Sequence, residues 1–239
     1  MNTATEIQGT HISQQYHVEL DQLRNRMIET GGIVERQLSD AVFSLLECDS
    51  DLAQKVILCD DEIDSLERKI DEESYLIIAK RQPAAGDLRL VLTITKIIRD
   101  LERMGDESAK IARMAIKLGE ELDSRIGFVE FKHIADRVQD MVRNCLDAFA
   151  RNDVVAAIRV VREDTNVDME YSSAMRAMAT YMIEDPRCIT RVLNMMWSLR
   201  ALERIGDHAK NISEQIIYLV NGRVIRYEDI NQYVSELML

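Results

Sequence analysis

Leu101-Glu102-Arg103-Met104-Gly105-Asp106 returns 101 residues later as Leu202-Glu203-Arg204-Ile205-Gly206-Asp207. A second acidic signature precedes each copy, Asp60-x-x-Ile63-Asp64 in the first half and Asp164-x-x-Val167-Asp168 in the second. The only two prolines, Pro83 and Pro186, stand 19 residues before Glu102 and 17 before Glu203. Asp49 and Asp153 are 104 positions apart, as are Asp60 and Asp164. Five landmarks in one order mark a tandem duplication, and the repeated unit has to be recognised before a fold is assigned.

Working outward from these landmarks, the chain reads as long helices with very short interruptions. The first spans about Ser13 to Glu47, with Gly31-Gly32 weakening its middle, and Asp49 or Ser50 caps the next. The second spans about Asp51 to Arg81, its apolar positions Leu52, Val56, Cys59, Ile63, Leu66 and Ile70 spaced by three and four as one buried stripe requires. Pro83 interrupts it. The third runs from the Pro83 to Asp87 turn to about Leu118, with Val91, Ile94, Ile98, Leu101, Met104, Ser108 and Ile111 as its stripe. Gly119, Asp123 and Gly127 mark the hinge between halves. The plan then repeats over about Phe128 to Arg151, Asp153 to Ile183 and Pro186 to Asn221, with Gly222 suited to a C-cap.

Three antiparallel helices with one apolar stripe each close around a common core. The expected fold is therefore all-α: two tandem three-helix bundles, six helices in all, related by internal duplication. The first bundle occupies 13–120, the second 126–222, and 223–239 is a C-terminal tail that is either a short docked helix or loose. Nine glycines and two prolines among 239 residues are too few turn-formers for a many-stranded protein. Trp197, with Met195, Met196 and Leu199, reads as core.

A formal net charge of −12 argues against nucleic acid as a partner, because phosphate backbones are held by clustered Lys and Arg. Cys48, Cys59, Cys145 and Cys188 share no CxxC spacing and read as free, buried thiols of a reducing cytosol. Met1 to Thr10 lacks a basic and apolar leader, and no apolar run reaches membrane-span length. A soluble, cytoplasmic protein is expected.

The repeat carries carboxylates. Residues four apart share a helical face, so Asp60/Asp64, Glu102/Asp106, Asp164/Asp168 and Glu203/Asp207 are adjacent like charges that cost about 0.2–0.5 kcal/mol per pair. That cost is small, and a merely solvated acidic face would carry it. Recurrence at corresponding places in two diverged halves is what singles these four pairs out. Each pair sits on the shoulder of a buried stripe. The legs from Asp64 to Pro83 and from Pro83 to Glu102 are both 19 residues, so antiparallel neighbours return the two pairs to one level. Facing shoulders would gather four carboxylates, the oxygen-rich ligand set favoured by Fe, Mn, Mg or Ca, with zinc also admissible.

Gly105 and Gly206 precede the aspartate in both copies, although a helical glycine costs about 1 kcal/mol against alanine. Close helix approach and clearance for a bound ion are both consistent with that. Glu130-x-x-His133 resembles a di-iron element but has no counterpart on a second helix. His208 is either a supplement to a metal site or a surface or pH-sensitive residue. No phosphate loop and no nucleophile with its base is discernible, so a non-enzyme is expected.

The doubled Leu-Glu-Arg-x-Gly-Asp, with Gln82-Pro83-Ala84-x-x-Asp87-Leu88-Arg89 before the first copy and Asp207-His208-x-x-Asn211-Ile212 in the second, resembles the PhoU family over about His17 to Gly222. The resemblance implies a cytoplasmic negative regulator of the phosphate-starvation response and of phosphate uptake, often dimeric. It implies two partners, the ATPase subunit of the phosphate importer and the sensor histidine kinase of the phosphate regulon, with the membrane reached only through them. It also implies metal at Asp60, Asp64, Glu102, Asp106, Asp164, Asp168, Glu203 and Asp207. One departure stands out: Arg187-Cys188-Ile189-Thr190 occupies the place of Asp87-Leu88-Arg89 in the second half. The rival reading is a carboxylate-bridged, metal-dependent enzyme on the same helices.

Overall fold

Asp49 and Asp153 begin the second helix of each half in the same way. Each has extended backbone, and each carboxylate accepts a 2.9 Å hydrogen bond from the amide three residues on, Leu52 and Ala156 respectively. One of the four otherwise unpaired amides at each helix start is thereby satisfied, the ordinary reason for aspartate at this position. The computed structural model describes residues 3–120, 126–225 and 230–237. It contains α1 (Thr3–Glu47), α2 (Ser50–Arg81), α3 (Ala85–Gly119), α4 (Phe128–Arg151), α5 (Val154–Glu184), α6 (Ile189–Asn221) and α7 (Ile230–Leu237), with a 3-10 turn over Pro186–Cys188. Among the described residues there is no strand.

The helices pack as two three-helix bundles, α1–α2–α3 and α4–α5–α6, joined chiefly by α3 against α6 and secondarily by α1 against α4. Every stripe position expected on α3, from Val91 to Ile111, is buried. Each fully buried Leu, Ile or Met contributes about 1.5–3 kcal/mol relative to exposure, which fixes that face inward. Gly31 does not break α1. It lets α4 approach: a Cβ there would lie 2.5 Å from Leu146 Cδ2. Gly127 (φ 80°) starts α4 in the left-handed region, and a Cβ there would lie 2.7 Å from Met195 Cγ, so glycine is required on both counts. Gly222 (φ 71°) ends α6 as expected.

Three expectations need correction, and the tail, left open between a docked helix and a loose end, is decided. The backbone of α1 is helical from Thr3 rather than Ser13, since no proline or turn interrupts that stretch. Trp197 is 65% exposed, while Met195 and Leu199 are buried; α6 buries a face that contains 195 and 199, and the indole lies on the other side. Only Cys145 among the thiols is buried, and Cys48 is exposed in the turn after α1, where it adopts φ 55°. The tail is a docked helix: α7 contacts α5, Tyr233 is buried, and its hydroxyl accepts a 2.6 Å hydrogen bond from Asn221 Nδ2. Asp123 of the hinge and Tyr227 and Met238 of the tail lie outside the described residues.

The element missing from the second half has a structural use in the first. Asp87 accepts a 2.9 Å hydrogen bond from the Tyr16 hydroxyl of α1, and the Arg89 guanidinium lies against Gly222 at the carbonyl end of α6. A cation there suits the negative end of the helix dipole. Arg187 instead turns back on its own Asp185 at 2.9 Å.

Candidate functional site

Antiparallel packing of α2 on α3 and of α5 on α6 brings the repeated acids together. Asp60 lies beside Asp106 and Asp64, and Glu102 lies beside Asp106, Glu67 and Asp64. In the second half Asp207 lies beside Asp164 and Asp168, and Glu203 beside Asp207, Asp168 and Asp164. All eight candidate residues therefore fall into two clusters of four. Glu67, half-buried at the edge of the first cluster, enlarges it and was not among the expected residues.

Electrostatics follow from this crowding. Burial, then Asp106 and Asp64, push the Asp60 carboxyl above its usual range, against a lowering by Arg113 and Gln37. Burial likewise raises Glu102, with Arg103 opposing and Asp106 adding to the rise. In the second cluster burial followed by neighbouring carboxylates raises Glu203, Asp207 and Asp168. Such groups hold protons more readily folded than unfolded, so stability falls as pH rises from the usual carboxylate range through each folded pKa. A proton or a bound cation restores it.

The arginines of the two motifs have different partners. Arg103 stays at its own cluster, 3.3 Å from both Glu102 and Asp106. Arg204 crosses to the first bundle and meets Glu107 of α3 at 2.7 Å, beside Lys110, whose Nζ lies 2.9 Å from the same Glu107 oxygen. His208 also belongs to this seam rather than to a cluster or the free surface: its Nδ1 lies 2.8 Å from Asp100 Oδ1, which accepts from Asn211 Nδ2 at 3.3 Å as well. The second cluster is neutralised instead by Arg200, 2.7 Å from Glu203, and by Lys210, 2.6 Å from the buried Asp164. Although burial disfavours the ammonium, its hydrogen bond and charge pairing with Asp164 hold the Lys210 pKa above normal.

Two further residues escaped the motif search. Gln37 of α1 is buried; its Nε2 donates to the Val56 carbonyl at 3.2 Å, while its Oε1 has no hydrogen-bond partner. That oxygen borders Gly105, where a Cβ would lie 3.1 Å from Ile63 Cδ1, 3.2 Å from Gln37 Oε1 and 3.4 Å from Asp60 Oδ1. Lys210 is the other. The signal for both was the repeat itself, since the 104-residue offset sets Gln37 against Met141 and the 101-residue offset sets Ala109 against Lys210. Glu130 and His133 stay apart from both clusters in role: Glu130 faces the Tyr181 hydroxyl at 3.4 Å.

The donor chemistry suits a hard cation, since carboxylates from facing helices are joined in the first half by an unpaired buried amide oxygen. The side chains as placed are open, and among the described residues no three His, Cys, Asp or Glu converge as a metal-ligand set.

Comparison with known proteins agrees with this architecture. The PhoU domain model matches twice, over residues 27–115 and 131–216. The phosphate-specific transport system accessory protein PhoU homolog of Pseudomonas putida is 53% identical over 227 residues, 95% of this chain and 89% of that protein. Its Escherichia coli K12 counterpart, phosphate-specific transport system accessory protein PhoU, is 44% identical over 217 residues, 91% of this chain and 90% of that protein. The crystal structure of PhoU from Pseudomonas aeruginosa superposes with a TM-score of 0.85 at 54% identity, covering 87% of this chain and all of that one. The chain belongs to the PhoU family.

Proposed function

From membership of that family we propose that the protein is an accessory regulator of a phosphate-specific transport system, restraining phosphate uptake and the phosphate-starvation response. It acts in the cytoplasm as an adaptor, as a homodimer, between the importer's ATPase subunit and the sensor histidine kinase, and meets the membrane only through them. The observation that carries this reading is the double domain match together with relatives, similar over nine-tenths of the chain, whose names give that accessory role. The same names describe accessory proteins rather than enzymes, which favours an adaptor over a carboxylate-bridged catalyst.

An adaptor needs an exposed apolar surface. Ile189, Leu193 and Trp197 recur every fourth residue along α6 and are 41%, 44% and 65% exposed. Residues at that spacing share one helical face, and an apolar face left to water is suited to a protein partner. Among the described residues no helix is long and apolar enough to cross a membrane.

Asp60, Asp64, Glu102 and Asp106 would hold one metal site, and Asp164, Asp168, Glu203 and Asp207 the other, for iron, manganese, magnesium or zinc. The bound ion would supply positive charge that removes the mutual repulsion of the acids and ties α2 to α3 and α5 to α6. Inward rotation of the carboxylates is needed to close either set.

The test is a clean deletion strain carrying a reporter for a phosphate-starvation gene. Expression should persist in abundant phosphate and return to repression when the chain is supplied in trans. Normal repression in the deletion strain would remove the assignment, and recovery of neither the ATPase nor the kinase on the tagged chain would remove the adaptor role.

A further inference from the structure

The exposed stripe of Ile189, Leu193 and Trp197 does not end at the indole. Arg200, Glu203 and Asp207 continue it along α6 at intervals of three, three and four, so the apolar residues and two acids of the second cluster share one helical face. Asp168 of α5 lies beside the same two acids. Both cations of this cluster are engaged: Arg200 is 2.7 Å from Glu203 and stands over the Tyr171 ring, and Lys210 is 2.6 Å from Asp164. Among the described residues Asp168 and Asp207 have no ion-pair partner, and Glu203 Oε2 has no hydrogen-bond donor. On α3 the corresponding series is Leu88, Leu92, Lys96, Arg99, Glu102 and Asp106. There a lysine takes the place of the indole, which shortens the apolar part and adds a positive charge.

Resting on the adaptor reading above, we infer that the α6 face from Ile189 to Asp207 docks a basic amphipathic helix of a partner protein. Its apolar side covers Ile189, Leu193 and Trp197, and its Lys or Arg side chains answer Asp168 and Asp207. Amphipathic helices bind grooves and faces in this way, with anchors three and four residues apart. The face is about 27 Å long at 1.5 Å per residue, room for about five turns of a partner helix. Charge complementarity selects the sign: the acids at one end of the face lack countercharges, and the whole chain carries −12, so an acidic segment is repelled where a basic one is steered in. The α3 face, with Lys96 in the place of the indole, does not offer the same surface.

Full-length protein is titrated with two synthetic helical peptides that share one leucine pattern, one bearing Lys and the other Glu at every polar position. Trp197 is the chain's only tryptophan, so its emission reports whether this face is the one covered. The Lys peptide should shift the emission to the blue and lose affinity as salt rises, and the Glu peptide should leave the emission unmoved. With the Lys peptide labelled and read by anisotropy, Trp197→Lys, which copies Lys96, should weaken binding by about tenfold or more. Asp168→Asn and Asp207→Asn should each weaken it by up to about fivefold. Circular dichroism establishes that each variant is folded, and the emission shift of the unaltered protein needs no variant. Binding of the Lys peptide with Trp197 emission unmoved, or equal shifts with both peptides, would overturn the inference. So would a blue shift on concentrating the protein alone, which would place a second copy on the face, or a shift with phosphatidylglycerol vesicles and none with the Lys peptide. Each of these outcomes leaves recovery of the ATPase and the kinase on the tagged chain as the separate test of the adaptor reading.

Discussion

Gly105 and Gly206 hold the same place in two versions of one motif, yet the first looks onto an isoleucine methyl, an amide oxygen and a carboxylate oxygen and the second onto two valines and a methionine. The difference extends outward. Arg103 serves the acids of its own motif, whereas Arg204 is drawn across the seam to Glu107, leaving Glu203 to Arg200 while Lys210 pairs with Asp164. A duplicated motif therefore preserves its acidic groups while the helices packed around it decide which cation answers them. Glu107, only 4% exposed, is the residue that attracts Arg204 away.

The largest test of this contrast is Lys210→Ala in metal-free protein. Asp164, 4% exposed, would lose its hydrogen-bonded cation, and an unsatisfied buried acceptor costs about 1–3 kcal/mol. Urea denaturation at neutral pH should register that loss. No loss would mean that Asp164 is served by another group and that the second cluster is not lysine-held.

A smaller effect separates the glycines. Gly206→Ala should gain about 0.5–1 kcal/mol, the helix-interior difference between these residues, because its Cβ meets only ordinary contacts. Gly105→Ala should lose that gain, since its Cβ comes within 3.2 Å of both Ile63 and Gln37. Paired thermal melts decide it, and equal shifts would erase the distinction between the two spaces.

The smallest expected effect on stability lies on the surface. Lys96 sits at the position matching Trp197 and lies over the Tyr218 ring, 5.5 Å from its centroid, so the first half places a cation where the second exposes an indole. Trp197→Ala should change stability by no more than about 0.5 kcal/mol, as exposed substitutions do, while reducing recovery of the protein's partners from cells. A large loss of stability with unchanged partner recovery would make Trp197 structural after all.

Much of the fold was legible because its signals are local. Asp49 and Asp153 cap their helices as their position before an apolar-periodic run suggests, and the α3 stripe from Val91 to Ile111 is buried throughout. Trp197 was misread because an apolar residue among apolar neighbours carries no mark of which side of the helix faces out. Gln37 was missed because it lies outside both motifs, on a third helix. Its contrast with Met141 becomes meaningful only once α1 is known to pass beside Gly105.

Periodicity and spacing alone determined seven stretches of chain as six long helices and a tail, placed the acids in i,i+4 pairs, and set facing pairs at one height, since rise per residue is a constant of the helix. Only the tertiary structure decided the pairing of charges. Arg103 and Arg204 stand in the same Leu-Glu-Arg-x-Gly-Asp motif and have different neighbours in space, because a long side chain chooses among every carboxylate within its reach. That reach is defined by the helix opposite, not by the helix that bears it.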